Sequence, residues 1–237
     1  MTLRSPPLTE RLPALDDPRV VALVAHARSL VGARLADIAD GLGLPVPVGN
    51  VRTKGWSGQI IERELGGTEE TSHGPDFEAF GVELKTVPVD GAGKPLESTA
   101  VCVIDPIAIA GESWDTSHVR RKLCRVLFVA LRVPGRGTSV GDREVADVRL
   151  WQPSATEEAL LRADFELFSR DYFRVGRAAA LTGHLGQVLQ VRPKAKNARD
   201  QRRAYDDEGR PVRIGKCGFY LRPAFVGAIL RAPLETP

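Results

Sequence analysis

The chain is short of cysteine, with three in 237 residues, Cys102, Cys124 and Cys217. None lies in a CxxC or CxxH pair, which excludes a disulfide-stapled scaffold and argues against a thiolate metal site. The three read as reduced, mostly buried thiols of an intracellular, cytoplasmic protein. Also lacking is any apolar run of about 18 residues, so the sequence predicts no membrane-spanning helix. The first 17 residues carry early charges and prolines and no apolar signal core. Internal repeats and low-complexity tracts are absent too. What remains is length enough for one large or two small domains, with a sizeable core.

Charge is plentiful but unevenly placed. The net charge of +3 conceals nine acids and three bases between Glu62 and Glu97, a local −6. From His118 to Gly141 six Arg/Lys stand with no acid, and from Arg192 to Arg222 ten bases face four acids, each block +6. Such runs are ordinarily solvated faces. An acidic centre flanked by two basic blocks also suits a metal site whose polyanionic ligand is held from both sides.

The acidic block contains the stretch around which the rest is organised, Asp76-Phe77-Glu78-Ala79-Phe80-Gly81-Val82-Glu83-Leu84-Lys85-Thr86. Strand alternation puts Val82, Leu84 and Thr86 on one face and Glu83, Lys85 and Val87 on the other. Glu83 and Lys85 then project side by side, with Asp76 on the preceding turn able to close beside them. Two carboxylates at one point make a hard-oxygen site suited to Mg²⁺. A neighbouring ammonium can orient a water, and together these meet the needs of phosphodiester hydrolysis. In a chain with 27% charged residues, a single Glu-x-Lys is equally at home on a solvated strand face.

Around this stretch the pattern alternates helices and strands. Asp17-Pro18 reads as N-cap and N1 of a helix through His26, a packed histidine, and residues 1–16 as a flexible arm. A second helix covers Arg34–Asp40. A third starts near Gly55 and Gly58, presents Trp56, Ile60 and Ile61 inward and ends at Gly66-Gly67. Glu62 on that helix is either an exposed charge or a third carboxylate for the site. Thr99–Ile104 reads as a buried strand completing a hairpin over 76–104. Ser117 caps a basic helix to Cys124; Val126–Val133 and Val145–Trp151 are strands. Ser154-Ala155-Thr156-Glu157 resembles a capping box opening a helix to about Val175. Gln187–Arg192 and Gly218–Arg222 are strands around a basic stretch, Pro193–Lys216. That stretch is either a mobile loop or a nucleic-acid contact that orders on binding, its bases from Lys196 to Arg213 meeting phosphates. Pro223–Arg231 closes the chain as a helix.

Several blocks of this sequence resemble the MutH-type mismatch-repair endonucleases. They are Lys54-Gly-Trp-Ser-Gly-Gln-Ile-Ile-Glu62, Asp76-Phe, Gly81-Val-Glu83-Leu-Lys85-Thr-Val-Pro-Val-Asp90 and Lys94-Pro-Leu-Glu-Ser-Thr. Val101-Cys-Val, Trp114-Asp-Thr-Ser-His-Val-Arg-Arg-Lys122, Leu189-Gln-Val-Arg192-Pro193-Lys194-Ala and Gly218-Phe-Tyr220-Leu continue the series in the family's order. The resemblance implies a restriction-endonuclease-like α/β fold: a central mixed sheet flanked by helices, and one domain over 1–237 with two lobes around a DNA cleft. It implies a Mg²⁺-dependent nick, with Mn²⁺ able to substitute, in the unmethylated strand of hemimethylated GATC on the 5′ side of the G. A MutL-type ATPase is the implied activator, with MutS upstream, and a monomer is expected.

Carried across by position, Asp76, Glu83 and Lys85 are the catalytic triad. Glu62 and Lys122 are further residues of the same centre, and Asp76, Glu83 and the Leu84 carbonyl are the metal ligands. Lys54 and Gly55 match the segment that meets the DNA backbone. Arg192, Pro193, Lys194 and Tyr220, within a DNA-reading region 186–222, match the residues that approach the bases. In the major groove an adenine shows N7 and N6, so donors on a rigid turn there can sense an N6-methyl group. The sequence departs from the family pattern at Ala100, where a Phe is usual, over 105–113 and over 199–216. These departures bear on sequence preference and methylation sensing more than on cutting. A GATC-specific type II restriction endonuclease shares the fold and residues and is the alternative; a DNA-binding module without catalysis is a third class.

Overall fold

The computed structural model describes residues 12–47, 55–67, 74–135 and 137–233. By its internal contacts the chain divides into two compact units. The first comprises Met1–Glu97, Cys124–Gln152 and Val226–Pro237, and the second Ser98–Leu123 and Pro153–Phe225.

The first unit is built on a three-stranded mixed sheet in the order β1-β3-β4. Strand β1 (Glu83–Val89) runs parallel to β3 (Val126–Arg132), and β4 (Glu144–Trp151) lies antiparallel to β3. β3 is the central strand, and its run Val126–Leu131 is buried throughout, as a strand covered on both faces requires. Three helices, α1 (Pro18–Ser29), α2 (Leu35–Gly41) and α3 (Trp56–Glu64), supply one side of its core. Leu23, Val24, Ile38, Trp56, Ile60 and Ile61 pack there with Leu84, Leu127, Val129 and Leu131. Asp17 caps α1 through the Arg19 N–H with Pro18 at N1, as the sequence predicts. The Arg19 side chain and N–H hold the Asp17 carboxyl down at about 2.

The second unit holds an antiparallel sheet in the order β2-β8-β5 and a two-stranded ribbon, β6-β7. β2 is Thr99–Val103, β5 Leu189–Pro193, β6 Gln201–Tyr205, β7 Pro211–Gly215 and β8 Cys217–Leu221. Helix α5 (Ala155–Phe168) starts at the expected Ser154/Glu157 capping box and runs on into a π-helical turn, Ser169–Arg174. Its Phe165 and Phe168 rings stand 6.0 and 5.9 Å from Phe219 of β8. From the same helix the buried Asp164 carboxylate accepts the N–H groups of Gln187, Val188 and Leu189 at 2.7–2.9 Å. A helix carboxylate thereby fixes where β5 begins. The other α-helices among the described residues are α4 (His118–Leu123) and α6 (Pro223–Arg231).

Four expectations need correction. The hairpin over 76–104 does not form: β1 pairs with β3, and β2 pairs with β8 in the other sheet. Sequence adjacency favours a hairpin, but the buried run of β3 offers β1 a longer apolar partner. Residues 12–16 are not a loose arm. The Pro13 carbonyl accepts from Arg125 at 2.9 Å, and Leu12 sits where a Cβ on Gly81 would fall. Residues 1–11 of that segment lie outside the described residues. His26 is exposed on α1 rather than packed, its ring bonding Glu64 at 3.2 Å. The stretch 193–216 is neither loop nor coil along its whole length, since it folds into the β6-β7 ribbon. All three cysteines are free and buried, and burial pushes the Cys217 thiol up to about 11.

Asp164→Ala leaves three backbone donors of residues 187–189 without their acceptor. The loss expected in urea unfolding is roughly 2–4 kcal/mol. An unchanged midpoint would show that other groups satisfy those donors.

Candidate functional site

Asp76 reaches the start of β1 through a tight reversal of the chain. The Phe77 N–H donates to the Val82 carbonyl at 2.9 Å, and the Val82 N–H returns to the Phe77 carbonyl at 3.2 Å. Between them Glu78–Phe80 form a single 3₁₀ turn, and Gly81 closes it at φ +61°, a left-handed conformation that a Cβ disfavours. Asp76 therefore lies opposite Leu84, whose N–H donates to Asp76 Oδ2 at 2.7 Å.

The direction of that bond matters. Among the described residues β1 is an edge strand: β3 is its strand partner, and on the other side only Val89 makes a bridge, to Pro95. The Glu83 N–H points to the β3 side and donates to the Arg125 carbonyl at 3.0 Å. Within a strand the N–H and C=O of one residue leave on the same side, and the side alternates along the chain. Leu84 thus turns both its N–H and its carbonyl to the outer edge, where Asp76 stands. The Pro88 carbonyl follows the same alternation, accepting the Leu96 N–H at 2.9 Å.

Side chains alternate as well. Leu84 enters the core with α1–α3, so Glu83 and Lys85 project from the opposite face of the sheet. Lys85 Nζ meets Glu83 Oε1 at 2.5 Å. Glu83 is only 1% exposed, which rules out a solvated strand face, because a carboxylate at that depth needs a cation or hydrogen-bond donors. Asp76 and Lys85 are half-buried. The sheet therefore places two carboxylates, an ammonium and an edge carbonyl around the first residues of one strand.

Arg125 fastens this turn from behind, a role the sequence did not reveal. It follows the basic helix α4 and counts in the sequence as part of a basic block, yet it is 4% exposed. Its Nη1 donates to the Phe80 carbonyl at 3.1 Å, and its Nη2 to the Pro13 carbonyl at 2.9 Å and to Gln152 Oε1 at 3.2 Å. Its own carbonyl holds Glu83. Nε has no partner among the described residues, and burial pushes the Arg125 pKa down. The available signal was its place directly before the all-apolar run of β3.

The donors at β1 suit a hard cation. Two carboxylates and a carbonyl form the kind of incomplete oxygen set that Mg²⁺ uses, completing its shell with water and substrate phosphate. Among the described residues no group of three or more His, Cys, Asp or Glu side chains is gathered to hold an ion. Glu62 is half-buried. It lies on the last turn of α3 with its side chain against Gly67, where an added Cβ would meet Glu62 Cγ at 2.5 Å. Lys122 is half-buried on α4, in the second unit. Gly55 occupies the N-cap of α3 at φ 85°, and Lys54 lies outside the described residues.

In the second unit Arg192, Lys194 and Tyr220 gather on one face of the sheet. Register places Ala100, Tyr220 and Gln190 side by side across β2, β8 and β5, and Gly218 beside Arg192. The opposite face, with Phe219, Leu221 and Leu189, is buried. Arg192 Nη1 and Gln190 Nε2 both donate to Ser98 Oγ, at 2.9 and 2.7 Å. Lys194 passes over Gly218, where a Cβ would stand 3.5 Å from its Cδ, and sets its ammonium 6.0 Å from the Tyr220 ring centroid. Pro193 ends β5 opposite Cys217. Two cations and an aromatic are thus pre-arranged beside one another. Ser98 and Gln190, which orient Arg192, escaped the sequence reading; their signal was the Glu97-Ser98-Thr99 block and the Gln of Leu189-Gln190-Val191.

Residues 65–164 match the family described as DNA mismatch repair enzyme MutH. The DNA mismatch repair protein MutH of Vibrio cholerae (strain M66-2) is 41% identical over 209 residues, spanning 88% of this chain and 94% of its own. That of Pectobacterium atrosepticum is 41% identical, over 88% of this chain and 90% of its own. That of Shewanella amazonensis is 42% identical over 213 residues, 90% and 94%.

Asp76→Asn separates the two jobs of that side chain, because the amide oxygen still accepts the Leu84 N–H while the charge is gone. Stability is expected to stay within about 1 kcal/mol of the parent. Titration calorimetry with Mg²⁺ or Mn²⁺ should lose its binding signal. Undiminished ion binding would place the cation elsewhere.

Proposed function

Since the chain belongs to the MutH family of DNA mismatch repair enzymes, we propose that it is a Mg²⁺-dependent endonuclease. It nicks the unmethylated strand of hemimethylated GATC on the 5′ side of the G, leaving a 5′-phosphate. The observation that carries the reading is the joint placement of Asp76, the Leu84 edge carbonyl, Glu83 and Lys85 at the start of β1.

Asp76, Glu83 and the Leu84 carbonyl would hold the ion, which when bound would supply positive charge at the scissile phosphate and make a water more acidic. Lys85 orients the attacking water from beside Glu83 and stabilises the negative charge that builds on the phosphate oxygens. Because Leu84 is locked into both the core and the Asp76 bond, these groups keep their positions without reorganising during the reaction. Lys122 and Glu62 are supporting residues of the same centre. Lys54 and Gly55 meet the DNA backbone.

Arg192, Pro193, Lys194 and Tyr220 approach the recognition bases in the restriction-endonuclease-like manner, where an adenine N6-methyl group in the major groove obstructs the donors. A MutL-type ATPase activates the enzyme with MutS upstream, and the enzyme acts as a cytoplasmic monomer, since a nick needs one active centre.

Labelled duplexes with one GATC, unmethylated, hemimethylated or fully methylated, test the proposal with Mg²⁺ and with or without MutL and ATP. The expected product is a nick confined to the unmethylated strand and strengthened by MutL. Partner-independent cutting of both strands would assign a restriction endonuclease instead. Intact duplexes under every condition would refute a nuclease function.

A further inference from the structure

The basic stretch after the reading strand sorts, once folded, into two kinds of arginine. On the β6-β7 ribbon, Arg202 is paired with Asp200 at 3.2 Å, and Arg210 with Asp206 and Glu208 at 2.8 and 2.7 Å. Their charge is largely spent within the fold. Arg203 and Arg213 differ. They face each other directly across the ribbon, both exposed, and among the described residues no carboxylate pairs with either. Like charges opposite one another weaken a two-stranded ribbon, and no carboxylate offsets this one.

The same outer face carries Tyr205, 41% exposed. Arg203 lies 5.5 Å from its ring centroid and donates to its hydroxyl at 3.2 Å. The other face is turned inward, with Ala204 only 3% exposed. The tip of the ribbon is seated as well: a Cβ on Gly176 would fall 2.0 Å from the Asp206 carbonyl carbon. The ribbon is therefore a fixed platform. It is also a direct continuation of the reading strands, entered from β5 and left into β8. The Lys194 N–H donates to the Lys216 carbonyl at 2.8 Å, and the Lys216 N–H to the Asp200 carbonyl at 2.9 Å.

We propose that the outer face of this ribbon, Arg203, Arg213 and Tyr205, is a phosphate clamp on the DNA flanking the recognition site. Guanidinium groups fit phosphate oxygens in fixed fork geometry, and the repulsion between the two facing cations is relieved when a polyanion lies across them. Arg213 lies three residues from Lys216, which bonds Lys194, a span of about 10 Å or about three base-pair steps at 3.4 Å, so the clamp meets backbone at the flank of a four-base site and reads no sequence. The proposal rests on the reading of this chain as a DNA endonuclease and adds where it grips the flank.

The test is fluorescence-anisotropy binding of the full chain in EDTA, across a salt series, to a 30-base-pair duplex and to one with two-base-pair flanks. The double variant Arg203→Gln/Arg213→Gln is compared with the parent and with Arg203→Lys/Arg213→Lys. On the long duplex the Gln variant should bind on the order of tenfold more weakly near 0.15 M salt, with log K against log salt shallower by about 1.8. Sequences with and without GATC should suffer alike, the short duplex should show no difference, and the Lys variant should keep most of the slope. An unchanged slope with a parent that binds DNA overturns the clamp and leaves the endonuclease reading standing. A parent that binds neither duplex overturns both.

Discussion

The hydrogen bond from the Leu84 N–H to Asp76 is where fold and chemistry meet. It depends on β1 being an edge strand, since a second neighbour would claim that N–H for a ladder. It depends equally on the Phe77–Val82 reversal, on Gly81 adopting a positive φ, and on Arg125 holding the turn at Phe80 while its carbonyl holds Glu83. With those in place a carboxylate stands at the open edge of a sheet, beside a carbonyl that has no strand partner on that side. The neighbouring Glu83–Lys85 pair is then a consequence of strand alternation. The site is a property of a strand end rather than of a loop, which suits a reaction that tolerates little misplacement of its groups.

A second constraint acts in the other unit. Asp164 anchors the start of β5 from helix α5, and Phe165 and Phe168 press on β8. The face left open by that packing carries Arg192, Lys194 and Tyr220, held by Ser98 and by Gly218's lack of a side chain. Buried groups of one face thus decide which polar groups of the other stand ready. The same two strands extend into the β6-β7 ribbon, so the face with Arg192, Lys194 and Tyr220 and the arginine pair share one backbone.

Much of this was legible in the sequence because it rests on local rules. Asp17-Pro18, the Ser154/Glu157 box, the inward Trp56/Ile60/Ile61 set and the alternation through Val82–Lys85 each reflect neighbours within a few residues. Asp76, Glu83 and Lys85 stood out for the same reason. What stayed hidden depends on partners far along the chain. Pairing of β1 with β3 rather than β2 is decided by the burial of 126–131. Inward Arg125 and a Ser98 bonded to Arg192, 94 residues on, are likewise outcomes of packing. His26 sits in an apolar-looking run yet faces outward toward Glu64, since its face is set by where α3 packs. The ribbon was unreadable because its apolar residues are few and its inward face shows only Ala204, Val212 and Ile214.

The role proposed for Lys85, beside the β1 carboxylates, is in the cutting step rather than in the holding of DNA. It is tested most directly by measuring single-turnover cleavage and DNA affinity of Lys85→Ala on the same hemimethylated GATC duplex, with circular dichroism to confirm the fold. Cutting should be lost while affinity stays nearly that of the parent, one ammonium being a small share of a contact made to many phosphates. Cutting at the parental rate, or a collapse of affinity matching the loss of cutting, would contradict it.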